Sequence, residues 1–141
     1  MHLLIRDISP YTGPDLLLGA FATAAAAEQA REEYMSEIAG RDPWAEQAYR
    51  SVDPARDVRV QPIEHRGEGD DDTIHVLVEY REAMGQIVAG FLTAFADPSA
   101  ADAAKTALEE NEHSWANYAD IETLTLGDRR WRHPGFDRPP A

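Results

Sequence analysis

The chain has 141 residues, no cysteine, 43% apolar residues and a formal net charge of −13. That length suits one domain or two small units sharing a core, and the apolar share suits a packed interior rather than a disordered chain. The missing cysteines exclude disulfides, thiolate metal sites and thiol nucleophiles, and the acidic balance argues against nucleic acid as a direct ligand.

Leu3 to Ile8 reads as a strand. The N-terminus is too short in apolar length for a signal peptide, and no run approaches the roughly 20 apolar residues of a membrane span. A cytoplasmic protein with no membrane partner is expected, and one lysine (Lys105) against twelve arginines points to a GC-rich bacterial genome. Ser9 to Pro14 is turn chemistry, and Asp15 to Ala22 is a second strand, so the two form a hairpin. Thr23 is placed to cap a helix from Ala24 to Ile38 that ends at Gly40, with Ala27, Ala30, Tyr34 and Ile38 on one stripe. Glu28, Glu32, Glu33 and Glu37 flank it. Asp42-Pro43-Trp44-Ala45 looks like a short helical start that Pro54 breaks. Asp57 to Glu64 reads as a third strand, with Val58 and Val60 on one face. Residues 65–72, HRGEGDDD, read as an acidic linker.

The order then recurs. Ile74, Val76, Val78 and Tyr80 alternate with His75, Leu77, Glu79 and Arg81, a period of two. Gly85 marks a turn, Gln86 to Phe95 an apolar strand, and Asp97-Pro98 the start of a helix carrying Ala101, Ala104 and Leu108. A last strand runs from about Ala119 to Leu126. Met1 to Ile5 matches Ile74 to Val78, and Phe21-Ala22-Thr23 matches Phe95-Ala96-Asp97. The stripe Ala27, Ala30, Tyr34 matches Ala101, Ala104, Leu108, and Trp44-Ala45 matches Trp115-Ala116. Four matches in one order imply two copies of a strand–strand–helix–strand unit.

The strand hairpin, the aromatic–small–Thr/Asp step and the alanine-rich helix resemble, in each half, small bacterial ββαβ domains of uncharacterised function. The resemblance implies a fold and supplies no catalytic residues. One such unit alone leaves a sheet face wet and apolar, and pairing two buries it. The expected class is α+β: a pseudo-two-fold tandem of ββαβ units, with antiparallel sheets packed together and helices outside, like a dimeric α+β sandwich or barrel. The units span 1–64 and 73–127, and a basic aromatic tail spans 128–141.

His2 and His75 occupy equivalent strand positions. With Glu79 they are the weak candidates for a metal or general-base site between the units, although no HxH or HExxH spacing supports it. Arg6 and Arg81 share strand faces with them and suit a small anion if those faces line a pocket, or are solvated charges if they do not. Trp44 and Trp115 suit stacking on a planar ligand, or the sealing of a core edge. Glu68, Asp70, Asp71 and Asp72 lack the alternation of a calcium loop. There is no GxSxG, SxxK or phosphate-cradling glycine loop, so no cofactor, metal or catalytic residue is assigned.

The tail has no counterpart after the first unit. Residues 128–141 hold Arg129, Arg130, Arg132 and Arg138 against Asp128 and Asp137, which leaves −15 on the other 127 residues. Arginine and tryptophan dominate interface hot spots. Arg129, Arg130, Trp131, Arg132 and Phe136 therefore read as a docking peptide for another protein or a second copy, or as a strap across their own domain. The expected function is a non-enzymatic regulatory or adaptor protein that binds another protein through its acidic surface and this tail. The alternative is a small-molecule binder or small enzyme with a site between the units near His2 and His75.

Overall fold

A computed structural model describes residues 1–8, 13–44, 53–69, 72–111 and 117–136. In chain order it contains β1 (His2–Arg6), β2 (Leu16–Phe21), α1 (Ala24–Ile38), α2 (Pro54–Asp57), β3 (Val58–Pro62) and β4 (His65–Arg66). β5 (Thr73–Ala83), β6 (Gln86–Phe95), α3 (Pro98–Glu109) and β7 (Asn117–Thr125) follow, and one 3-10 turn at Arg130–Arg132 ends the set. The fold is α+β, with two sheets in the orders β2-β1-β3 and β4-β6-β5-β7.

The two halves repeat one topology. The first strand of each unit is central and pairs antiparallel with the second and third. His2 stands opposite Phe21, and His75 opposite Phe95. Even the irregularity recurs. The register slips between Leu4 and Ile5 and again between Leu77 and Val78, which leaves Leu18 and Leu92 as the extra residues of matching bulges. The helices begin alike: the Thr23 hydroxyl accepts from the Ala26 amide, and the Asp97 carboxylate from Ser99.

Alternation along β1 and β5 sorts their side chains between two layers. Leu3 and Ile5 join Ile74, Val76, Val78, Phe91 and Leu124 in a core between the sheets. Leu4 faces the other way, under α1 with Leu18, Phe21, Ala27, Ala30, Tyr34 and Ile38. Leu77 lies with Phe95 and Ala119 against Ala101 of α3. The layers therefore run helix, sheet, sheet, helix. The alanines of each helix stripe let the helix axis approach its sheet closely.

Each unit's last strand continues into the other unit's sheet. Beyond β3, the Ala94 and Ala96 amides donate to the Glu64 and Arg66 carbonyls at 2.9 Å. Beyond β7, the Gly127 amide donates to the Ala20 carbonyl at 2.8 Å. These corners tie the units together, but the sheets stay open and do not close into a barrel. Two local expectations need comment. Pro54 opens α2, where its missing N–H costs nothing in a first turn that Asp53 caps, and the short helix expected from Asp42 runs into residues 45–52, outside the described residues. The stretch read as a linker opens with β4, while Asp70 and Asp71 lie outside the described residues.

Candidate functional site

The strand alternation that builds the core also disperses the proposed inter-unit site. His2 and Arg6 share the face of Leu4, under α1, and His75, Glu79 and Arg81 share the face of Leu77, on the α3 side. The apolar layer between the sheets separates the two groups. A site joining His2, Arg6, His75 and Glu79 between the units is therefore not formed. β-Branched and aliphatic side chains take the layer between the sheets, and the polar alternates go beneath or beside the helices.

Each of these residues has a local setting. Arg6 is fully buried: its Nη1 donates to the Tyr34 hydroxyl at 3.2 Å and its Nη2 to Asp42 at 2.8 Å. Burial opposes the Arg6 charge, but Asp42 and Tyr34 outweigh it and hold its pKa above the ordinary value. It pins the end of β1 to α1 and the following loop. His75 is buried, with Nδ1 2.9 Å from the Thr123 hydroxyl on the neighbouring strand. Arg81 is exposed and pairs with Glu79 at 3.4 Å. Trp44 is buried, as core sealing requires, and Trp115 lies outside the described residues. His2 Nδ1, Arg6 Nε and Trp44 Nε1 are buried with no partner among the described residues. Among those residues no group of three histidine or carboxylate side chains is arranged for a metal ion.

The tail is the most connected of the candidate elements. Trp131 packs edge-on to Tyr34 with ring centroids 5.3 Å apart, and its indole N–H donates to Glu37 at 2.6 Å. Arg132 donates to Glu37 at 2.8 Å, and Arg129 to Glu33 at 2.9 Å while lying over the Phe21 ring. Arg130 lies over the Phe136 ring, and Phe136 packs beside the α1 core. Burial works against the Glu37 carboxylate, but Trp131 and Arg132 outweigh it and hold its pKa below the usual range. The five tail residues read from sequence as partner-binding are thus engaged within their own chain. The tail straps the edge of β2 and the side of α1.

The strap solves a problem that the pseudo-symmetry exposes. At the β3–β6 corner, Gln61 Nε2 donates to the Phe91 carbonyl at 3.1 Å. The equivalent residue on β7 is Glu122, and the carbonyl equivalent to that of Phe91 belongs to Leu17. A carboxylate cannot donate to a carbonyl. Arg130 stands between them, donating to the Leu17 carbonyl at 3.0 Å and to Glu122 at 3.2 Å. Burial pushes the Glu122 carboxyl up, and Arg130 only partly offsets it.

Among the described residues no such strap lies on the second unit. Leu18 is 0% exposed, in the same buried cluster as Trp131, whereas its equivalent Leu92 is 41% exposed. Among the described residues Met84, Val88 and Tyr118 are the other exposed large apolar side chains, and all belong to the second unit. Val88 and Leu92 fall on the α3 side of β6. Met84 and Gly85 have φ of 54° and 80° and form the tip of the β5–β6 hairpin. β4 covers the outer edge of β6 only at Ala94 and Phe95, and among the described residues no strand pairs there from Gln86 to Thr93. Sequence reading took Gln86 to Phe95 as one apolar strand and did not single out Val88 or Leu92. The available signal was the missing match to the tail.

Comparisons with family models, with curated proteins and with solved structures found no match. No helix among the described residues is long and apolar enough to cross a membrane.

Proposed function

We propose that the protein is a non-enzymatic regulatory or adaptor module that binds another protein through its acidic surface, with the face of the second unit as the contact. The observation that carries this is the unequal treatment of equivalent faces, Leu18 buried in one cluster with Trp131 and Leu92 left open. Burying an exposed apolar side chain stabilises a complex by about 25 cal/mol per Å², so an uncovered Val88 and Leu92 favour a partner. The tail enters this reading as a strap that completes the first unit, because its indole and guanidinium groups are already paired.

The test is site-specific photocrosslinking in the source cells. A benzophenone side chain at position 88 is expected to give a discrete adduct of higher mass, and one at the exposed position 56 is not. The absence of any adduct from position 88, or the same adducts from both positions, would remove the reading.

A further inference from the structure

The two hairpins differ in length. Arg6 pairs with Leu16 at the end of the first ladder, and the equivalent pair, Glu79 with Gly90, lies inside the second. Four more pairs follow, from Tyr80 with Ala89 to Ala83 with Gln86. At about 3.4 Å per residue they form an arm of roughly 14 Å. β7 accompanies the arm only as far as Asn117, opposite Arg81, so among the described residues its end is two-stranded.

The arm closes in a two-residue turn. Met84 and Gly85 both have positive φ, 54° and 80°, the pattern of a type I′ turn. The first position of that turn favours asparagine, aspartate or glycine, because other side chains crowd the backbone there. Met84 is the one non-glycine residue with positive φ among the described residues, and at 97% exposed it gains no packing in return. Asparagine would complete Asn-Gly, the favoured pair for this turn. The fold therefore does not account for a thioether at the tip. Methionine is unbranched and polarizable, adapts to irregular apolar holes and makes favourable contacts with aromatic edges. Val88, on the same arm, is also exposed. From these observations we infer that the β5–β6 arm is an anchor whose Met84 side chain inserts into a pocket of aliphatic and aromatic side chains on another protein.

A second copy and a lipid surface are poorer occupants. The described residues of a second copy offer polar cavities: one beside α1 walled by Glu32, Glu33, Glu37 and Arg132, and one between β7 and the strap walled by Asp128, Arg130 and His133 beside Phe136. Two bodies of charge −13 also repel. A lipid surface would meet the exposed Glu82 two residues from the tip, while Arg81 is already paired with Glu79.

The inference rests on the protein-binding reading and adds its anchor. The full chain with a diazirine side chain at position 84 is irradiated in the source cells, and the adducts are mapped by mass spectrometry. They are expected on aliphatic and aromatic residues of one other protein. Adducts on lipid, on a second copy or on charged surface residues, or none at all, overturn the inference. A second measurement uses the chain with benzophenone at position 88. There Met84→Asn is expected to cut the adduct roughly tenfold or more while raising the unfolding midpoint, because asparagine suits the turn. Met84→Leu is expected to keep most of the adduct. An undiminished adduct in Met84→Asn overturns the inference, as does a lowered midpoint, which would make Met84 a residue of the fold. Either result leaves the protein-binding reading standing, whereas no adduct from position 84 or 88 removes both.

Discussion

Asp15 illustrates how a single carboxyl is set by its neighbours. It is mostly buried at the end of the first hairpin, where its Oδ1 accepts from the Ile8 amide at 3.1 Å and Arg59 lies 4.0 Å away. Burial, with help from nearby Asp7, pushes it up to about 6 despite the amide and Arg59. A carboxyl raised in the folded state holds its proton there after the unfolded chain has released it. Stability from this group is therefore greatest in acid and falls as pH rises from about 4 to about 6. Asp15→Asn keeps the acceptor for Ile8 and removes the titration, so its unfolding free energy should be flatter across that interval. Urea melts at pH 4.5 and 7 compare the two chains. An unchanged slope in the variant would place the titration elsewhere.

Arg130 gives a second test at the same scale. If it serves to bridge Glu122 and the Leu17 carbonyl, Arg130→Ala should cost about 1–3 kcal/mol in the native chain. With Glu122→Gln the new amide can donate to Leu17 directly, as Gln61 does to Phe91. The cost of Arg130→Ala should then fall by about 1 kcal/mol in a double-mutant cycle. Additive losses would mean that Arg130 acts through Phe136 instead. Neither role was legible in the sequence, because both depend on which residues the corners bring together. Alternation did show that His2 and Arg6 share a face, and His75 and Glu79 another. It could not show that helices and not the opposing sheet would cover those faces.

At the scale of elements, local chemistry was more informative. The bounds of α1 follow from the Thr23 cap and the alanine stripe, and those of β6 from Gly85 and the Asp97-Pro98 helix start. The short α2 is not anticipated in the sequence, because Pro54 is as compatible with a first turn as with a helix stop. The tail was open to two readings, since Arg-Trp-Arg suits a partner and its own acidic helix equally well. Its docking makes a direct prediction. Trp131→Ala removes a buried indole, the edge contact with Tyr34 and one donor to Glu37. The expected loss is about 3 kcal/mol, read as a lower denaturant midpoint, with α1 amides exchanging faster. Unchanged stability would mean that the tail does not hold the first unit together.

At the scale of the whole molecule, one topology is used twice and finished once. Both units bury one sheet face against the other and cover the opposite face with a helix. The described residues then supply a strap to the first and none to the second. The repeat was visible in the sequence because strand segments, cap residues, helix stripes and Trp-Ala pairs recur in order. The asymmetry was visible only as a tail without a counterpart, and its meaning required the structure. Solvent paramagnetic relaxation of methyl groups in the intact chain tests it most directly. The account predicts strong attenuation of the Leu92 and Val88 methyls and protection of Leu18. Equal attenuation of Leu18 and Leu92 would show the strap undocked, and equal protection would show the second face already covered; either result contradicts the account.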